Sequence, residues 1–163
     1  MKLWAEVVKE ALQMLVNKDR YAYFYGAKGE KLTVDVMEAL WNSSPDYFKK
    51  FTKEQKDAFF SYSLGKVGYD CSGFIGKITG CNTYSGAIWS RCDYKTTPAL
   101  CVGGSILWKP GHVGLDIGIG GFFIHMGRMG NTVEIGRISN GQVKWESAGR
   151  LTGYIDYTGA INI

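Results

Sequence analysis

Apolar residues Trp4, Val7, Val8, Ala11, Leu12, Leu15 and Val16 recur at three- and four-residue steps. That spacing predicts one apolar stripe on a helix ending near Asn17. A loop carrying Tyr21, Tyr23, Tyr25, Gly26 and Gly29 is expected next. Thr33 is placed to cap a second, short helix through Trp41, which Ser43-Ser44-Pro45 closes. Thr52 and Gln55 stand at the spacing of a capping box. They open a third helix that runs to about Leu64, where Gly65 stops it.

From Ser105 onward the apolar period shortens to two, the signature of half-buried strands. Two breaks interrupt it: Gly118-Ile119-Gly120-Gly121, and Asn140-Gly141, a pair that favours tight hairpin turns. Helices first and antiparallel strands after predict an α+β fold, with N-terminal helices packed on a C-terminal antiparallel sheet. The length of 163 residues, with no internal repeat and no linker, makes this a single domain, 1–163. Gly80 to Gly103 resists assignment and is expected to be a long excursion over the surface. A loop of that length in a small domain usually has a function.

Composition sharpens this picture in a few places. Twenty-two glycines against three prolines point to tight turns and close backbone approaches, and five Trp, ten Tyr and eight Phe supply apolar area for a core and a groove. The net charge of +4 would suit a polyanionic partner such as nucleic acid or an anionic cell wall. No run of Lys/Arg exceeds two, however, so no nucleic-acid partner is expected. No apolar stretch is long enough for a transmembrane segment. Residues Met1 to Glu10 are too interrupted by charge for a signal peptide, so synthesis in the cytoplasm is expected. Four cysteines without a Cys-x-x-Cys pair do not make a disulfide scaffold, and Cys81, Cys92 and Cys101 are expected to be plain thiols.

Candidate chemistry gathers at two places. Gly68-Tyr69-Asp70-Cys71-Ser72-Gly73-Phe74 leads into an apolar segment at helical spacing, which sets Cys71 at or just inside a helix N-terminus. Unpaired N–H groups and the helix dipole favour a thiolate there, although a free cysteine is more commonly a small core residue. The only two histidines are His112 and His125. If Gly118–Gly121 turns a hairpin, Ile117 pairs with Phe122, Leu115 with Ile124 and Val113 with Met126 on the core face. His125 then lies opposite Gly114 on the other face, with His112 its diagonal neighbour and the glycine leaving room between them. A helix-start cysteine, an imidazole base and a third polar group orienting that base form the general arrangement of an activated thiol. A zinc site using Cys71, His112 and His125 is the competing use of these residues, but they lack the close-set spacing of structural zinc ligands. No cofactor is expected.

Asp70-Cys71-Ser72-Gly73-Phe74, Gly111-His112-Val113-Gly114 and Ile124-His125 resemble, in that order, the catalytic blocks of the NlpC-type cell-wall peptidases. These are papain-like cysteine enzymes that hydrolyse peptidoglycan stem peptides. Tyr23-Phe24-Tyr25-Gly26 resembles the block that precedes their nucleophile. The resemblance implies Cys71 as nucleophile, His112 as general base and His125 as the residue orienting it. It further implies that Tyr23 places its hydroxyl near the developing oxyanion, and that Asp70 and Ser72 help hold the free amino end of the stem peptide. The bond implied joins the side-chain carboxyl of D-glutamate to a diamino acid. Two departures stand out. Gly103-Gly104-Ser105 replaces the Pro-Gly-Asp often found before the histidine strand, and the Gly80–Gly103 stretch has no counterpart. The lack of a signal peptide resembles a phage or prophage lysin, which acts at the wall after release. Two other functions fit the same fold: an amidase or acyltransferase on a non-wall amide, and a non-catalytic wall-binding module.

Overall fold

The computed structural model describes residues 1–163. In chain order the elements are β1 (Lys2–Leu3), α1 (Trp4–Val16), β2 (Tyr21–Tyr23), β3 (Lys28–Lys31), α2 (Val34–Ser43), α3 (Pro45–Phe48), α4 (Lys53–Ser63), β4 (Val67–Tyr69) and α5 (Cys71–Thr79). There follow α6 (Ser85–Ser90), β5 (Asp93–Thr96), β6 (Ile106–Lys109), β7 (His112–Asp116), β8 (Phe122–Met126), β9 (Val133–Arg137), β10 (Ser147–Arg150) and β11 (Ile155–Asp156). This is an α+β architecture built on a six-stranded antiparallel sheet in the order β5-β10-β6-β7-β8-β9. No helix is long and apolar enough to cross a membrane.

The predicted helices form for the predicted reasons. Val7, Val8, Ala11 and Met14 are the buried stripe of α1, whereas Leu12 and Val16, expected on that stripe, are exposed. The Thr33 hydroxyl accepts from Val36 N–H at the start of α2. At α4, Thr52 and Gln55 satisfy each other's backbone N–H groups in a reciprocal capping box. The central helix is α5, packed between α1 and strands β7 and β8, with Phe74, Ile75 and Ile78 fully buried.

Three expectations are corrected. The stretch expected to be a loop from Tyr21 to Gly29 contains β2 and β3, which flank β4 in a three-stranded sheet, β2 parallel and β3 antiparallel to it. Strands of three or four residues are too short to show a local period, and their partner lies about forty residues away. Asn140-Gly141 is not a hairpin turn. Gly141 takes the left-handed conformation after a single helical turn, but β9 is an edge strand while β10 lies between β5 and β6, so the connection crosses the sheet. The Gly80–Gly103 stretch is not wholly a surface excursion either. It contributes α6 and the edge strand β5, and it buries Cys81, Cys92 and Cys101, which are free thiols like Cys71.

Candidate active site

Strand β4 delivers Asp70 to the N-cap of α5, where its Oδ1 accepts from Gly73 N–H at 2.7 Å. Cys71 is therefore the first residue of the helix, as the sequence predicts. Its side chain is buried, with Sγ 3.9 Å from the carbonyl oxygen of Gly111. Burial pushes the thiol up to about 11, and the Asp70 charge adds to this; the Val113 N–H and Lys28 oppose it without prevailing. The helix start alone leaves Cys71 protonated at neutral pH.

The histidines lie on the β7–β8 hairpin in the predicted register, with Leu115 opposite Ile124, Asp116 opposite Phe123, and Ile117 N–H bonded to the Phe122 carbonyl. His112 Nε2 and His125 Nδ1 share a hydrogen bond of 2.8 Å. The face they occupy is roofed by Trp145. The indole stacks on the His112 ring (centroids 5.1 Å apart, planes 10° apart) and meets Phe123 and His125 edge-on. Gly114 makes this possible, since a Cβ there would lie 2.9 Å from the indole. Burial, with Lys109 nearby, lowers His112 to about 4. Burial together with His112 and Arg128 lowers His125 to about 3. Both rings are neutral at pH 7.

Glu134 was not picked out from the sequence. It pairs directly across from His125 in the β8–β9 ladder, with Oε2 3.8 Å from His125 Nε2. Its other oxygen accepts from Arg128 and Asn131 at 3.1 and 3.2 Å. A proton on His125 Nε2 facing Glu134 leaves Nδ1 to accept from His112 Nε2–H, and His112 Nδ1 then remains unprotonated. In that tautomer His112 Nδ1 is a free proton acceptor.

Both imidazoles line a cleft of about 670 Å³ whose other walls include Tyr23, Tyr47, Lys109 and Arg128. Cys71, 7% exposed, is not among the lining residues, and it forms no hydrogen bond with His112 here. Tyr23 is held by β2 and by its N–H bond to the Asn131 carbonyl. Its phenol, beside Tyr47 and near Cys71, is pushed far above its ordinary value by burial. It therefore stays a proton donor. Asp70 and Ser72 flank Cys71, but their polar atoms are taken by the ammonium of Lys28. Lys28 was also missed from sequence; its approach depends on β3 pairing with β4. No three His, Cys, Asp or Glu side chains are gathered as a metal-ligand set.

No family model matches the chain, and no curated protein matches it. The site is thus characterised by its own geometry: a protonated thiol at a helix start, a pair of hydrogen-bonded neutral imidazoles, a carboxylate behind them and a phenol donor beside them.

Proposed function

We propose that this chain is a papain-like cysteine peptidase of the NlpC type. Its substrate would be peptidoglycan stem peptides, cut between the side-chain carboxyl of D-glutamate and a diamino acid, in the manner of a lysin acting at the wall after release. The observation that carries the reading is the 2.8 Å His112–His125 hydrogen bond, which engages His112 Nε2 and leaves Nδ1 without a ring partner, next to Gly111, whose carbonyl lies 3.9 Å from Cys71 Sγ.

In this mechanism the Cys71 proton passes to His112 Nδ1 as Sγ attacks the scissile carbonyl. Charge developing on the carbonyl oxygen is met by the Tyr23 hydroxyl. The leaving amine takes the proton from His112, and water, activated by the same ring, hydrolyses the thioester and frees Cys71. His125 and Glu134 hold the base in its useful tautomer and stabilise the cation it becomes.

Cys71→Ala should abolish turbidity loss on purified peptidoglycan while leaving the circular dichroism spectrum unchanged. Alkylation should abolish lysis by the native chain, and chelation should not. Substantial lysis by the Ala variant would remove Cys71 from the mechanism, and inactivation by chelation alone would favour a metal.

A further inference from the structure

Lys28 reaches the two residues on either side of the nucleophile. Its Nζ donates to Asp70 Oδ1 at 2.7 Å, Asp70 Oδ2 at 2.9 Å and Ser72 Oγ at 2.5 Å. An ammonium has three N–H donors, and all three are used. The acceptors are equally occupied. Ser72 Oγ donates to Asp70 Oδ1 at 3.0 Å, and Gly73 N–H donates to the same oxygen. The ion pair is half-exposed on the lysine side and nearly buried on the aspartate side, so the cation covers a recessed carboxylate from the solvent direction.

The surroundings carry the same sign. A cavity of about 700 Å³ beside Lys28 and Ser72 adds Lys77 and holds no carboxylate. The cleft on the histidine side carries Lys50, Lys109 and Arg128 against Glu134, whose oxygens face Arg128, Asn131 and His125. A substrate ammonium entering from either side meets cations and finds no unpaired carboxylate.

We propose that Lys28 is a specificity-determining residue: its ammonium fills the acid–hydroxyl pair beside Cys71, so the site takes peptides whose amino end is acylated and rejects those ending in a free ammonium. The inference rests on the cysteine-peptidase reading and corrects one part of it, because Asp70 and Ser72 hold the chain's own cation in place of the substrate's. A stem peptide still joined to its glycan strand presents an amide at that end; a released one presents an ammonium.

The test uses L-alanyl-γ-D-glutamyl peptides continuing with L-lysine or with diaminopimelate, each with a free and with an N-acetylated amino end. For the native chain, kcat/KM should favour the acetylated peptide by about tenfold, the scale of a like-charge clash in a partly desolvated site. Lys28→Met, which exposes the Asp70 carboxylate, should reverse the preference, and Lys28→Arg should keep it. A native chain that cuts the free-amine peptide as well as the acetylated one overturns the role of Lys28 and leaves the peptidase reading standing. So does a folded Lys28→Met chain with an unchanged ratio. Failure to cut any of the peptides, or purified peptidoglycan, overturns the peptidase reading and this inference with it. The native ratio decides the matter even where a variant fails to fold.

Discussion

Burial moves Cys71 and His112 in opposite directions on the pH scale and to the same effect on charge: the thiol rises to about 11, the ring falls to about 4, and both are neutral between. Making a thiolate–imidazolium pair before substrate binds is therefore uphill, and in the proposed mechanism the attraction between the two charges lowers the barrier. The free protein should show this directly. Iodoacetamide reacts with the thiolate, so the alkylation rate of Cys71, followed by peptide mapping, should rise about tenfold per pH unit between about pH 6 and about pH 9. A preformed ion pair would give a rate flat over that window, and a flat profile would overturn the neutral resting pair. Peptide mapping matters because Cys92 and Cys101 are also buried thiols, each raised to about 12.

At the scale of elements, the site is a helix start set against a hairpin, and these two parts differ in how far local sequence determines them. The β7–β8 hairpin was legible because alternating apolar residues and a glycine-rich turn allow one register that buries Val113, Leu115, Ile124 and Met126 together. The start of α5 was legible from Asp70 and the apolar spacing that follows. Glu134 was not, because β8 and β9 are joined by the six residues Gly127 to Thr132, too long a connection for a two-residue turn to fix which residue faces His125. Lys28 depends on the pairing of β3 with β4, a contact set by tertiary packing across about forty residues. Trp145 comes from an irregular segment before β10, which no periodicity can orient. Gly114 is where hairpin and roof meet. In Gly114→Ala the new methyl would lie 2.9 Å from the Trp145 indole and 3.3 Å from His125 Cβ. Overpacking of this kind costs about 1–3 kcal/mol. Peptidoglycan hydrolysis should fall by about tenfold or more as the indole leaves His112, with a lowered Tm and a retained fold. A lowered Tm with unchanged turnover would show that the seat of the indole does not govern the base.

For the whole molecule, the far end of β7 bears on stability. The fully buried Asp116 accepts from Gly118 N–H at 2.7 Å through Oδ1, while Oδ2 has no partner. Its backbone joins Gly104 and Ser105, and the C-terminal Ile163 closes on Gly118 and Gly120, so one turn ties the hairpin to two other parts of the chain. Burial raises the Asp116 carboxyl to about 6, against an ordinary 3.8. The native state thus holds this proton more tightly than the unfolded chain does. The contribution of Asp116 to stability is greatest below about pH 4, falls as pH rises to about 6, and is then lower by a constant amount of about 3 kcal/mol. His112 and His125 act in the opposite sense. Their lowered values mean that the unfolded chain protonates first, so stability from that pair is lost as pH falls from 6.5 toward about 3. The two trends overlap in the native chain, and the difference between it and Asp116→Asn isolates the carboxyl. Asparagine keeps an acceptor for Gly118 and has no charge to bury. The variant should therefore be the more stable at pH 7, by an amount that shrinks toward zero as pH falls from about 6 to about 4, read by urea unfolding at each pH. A variant less stable than the native chain at pH 7, or a difference that does not change with pH, would show that the Asp116 carboxylate is accommodated without strain.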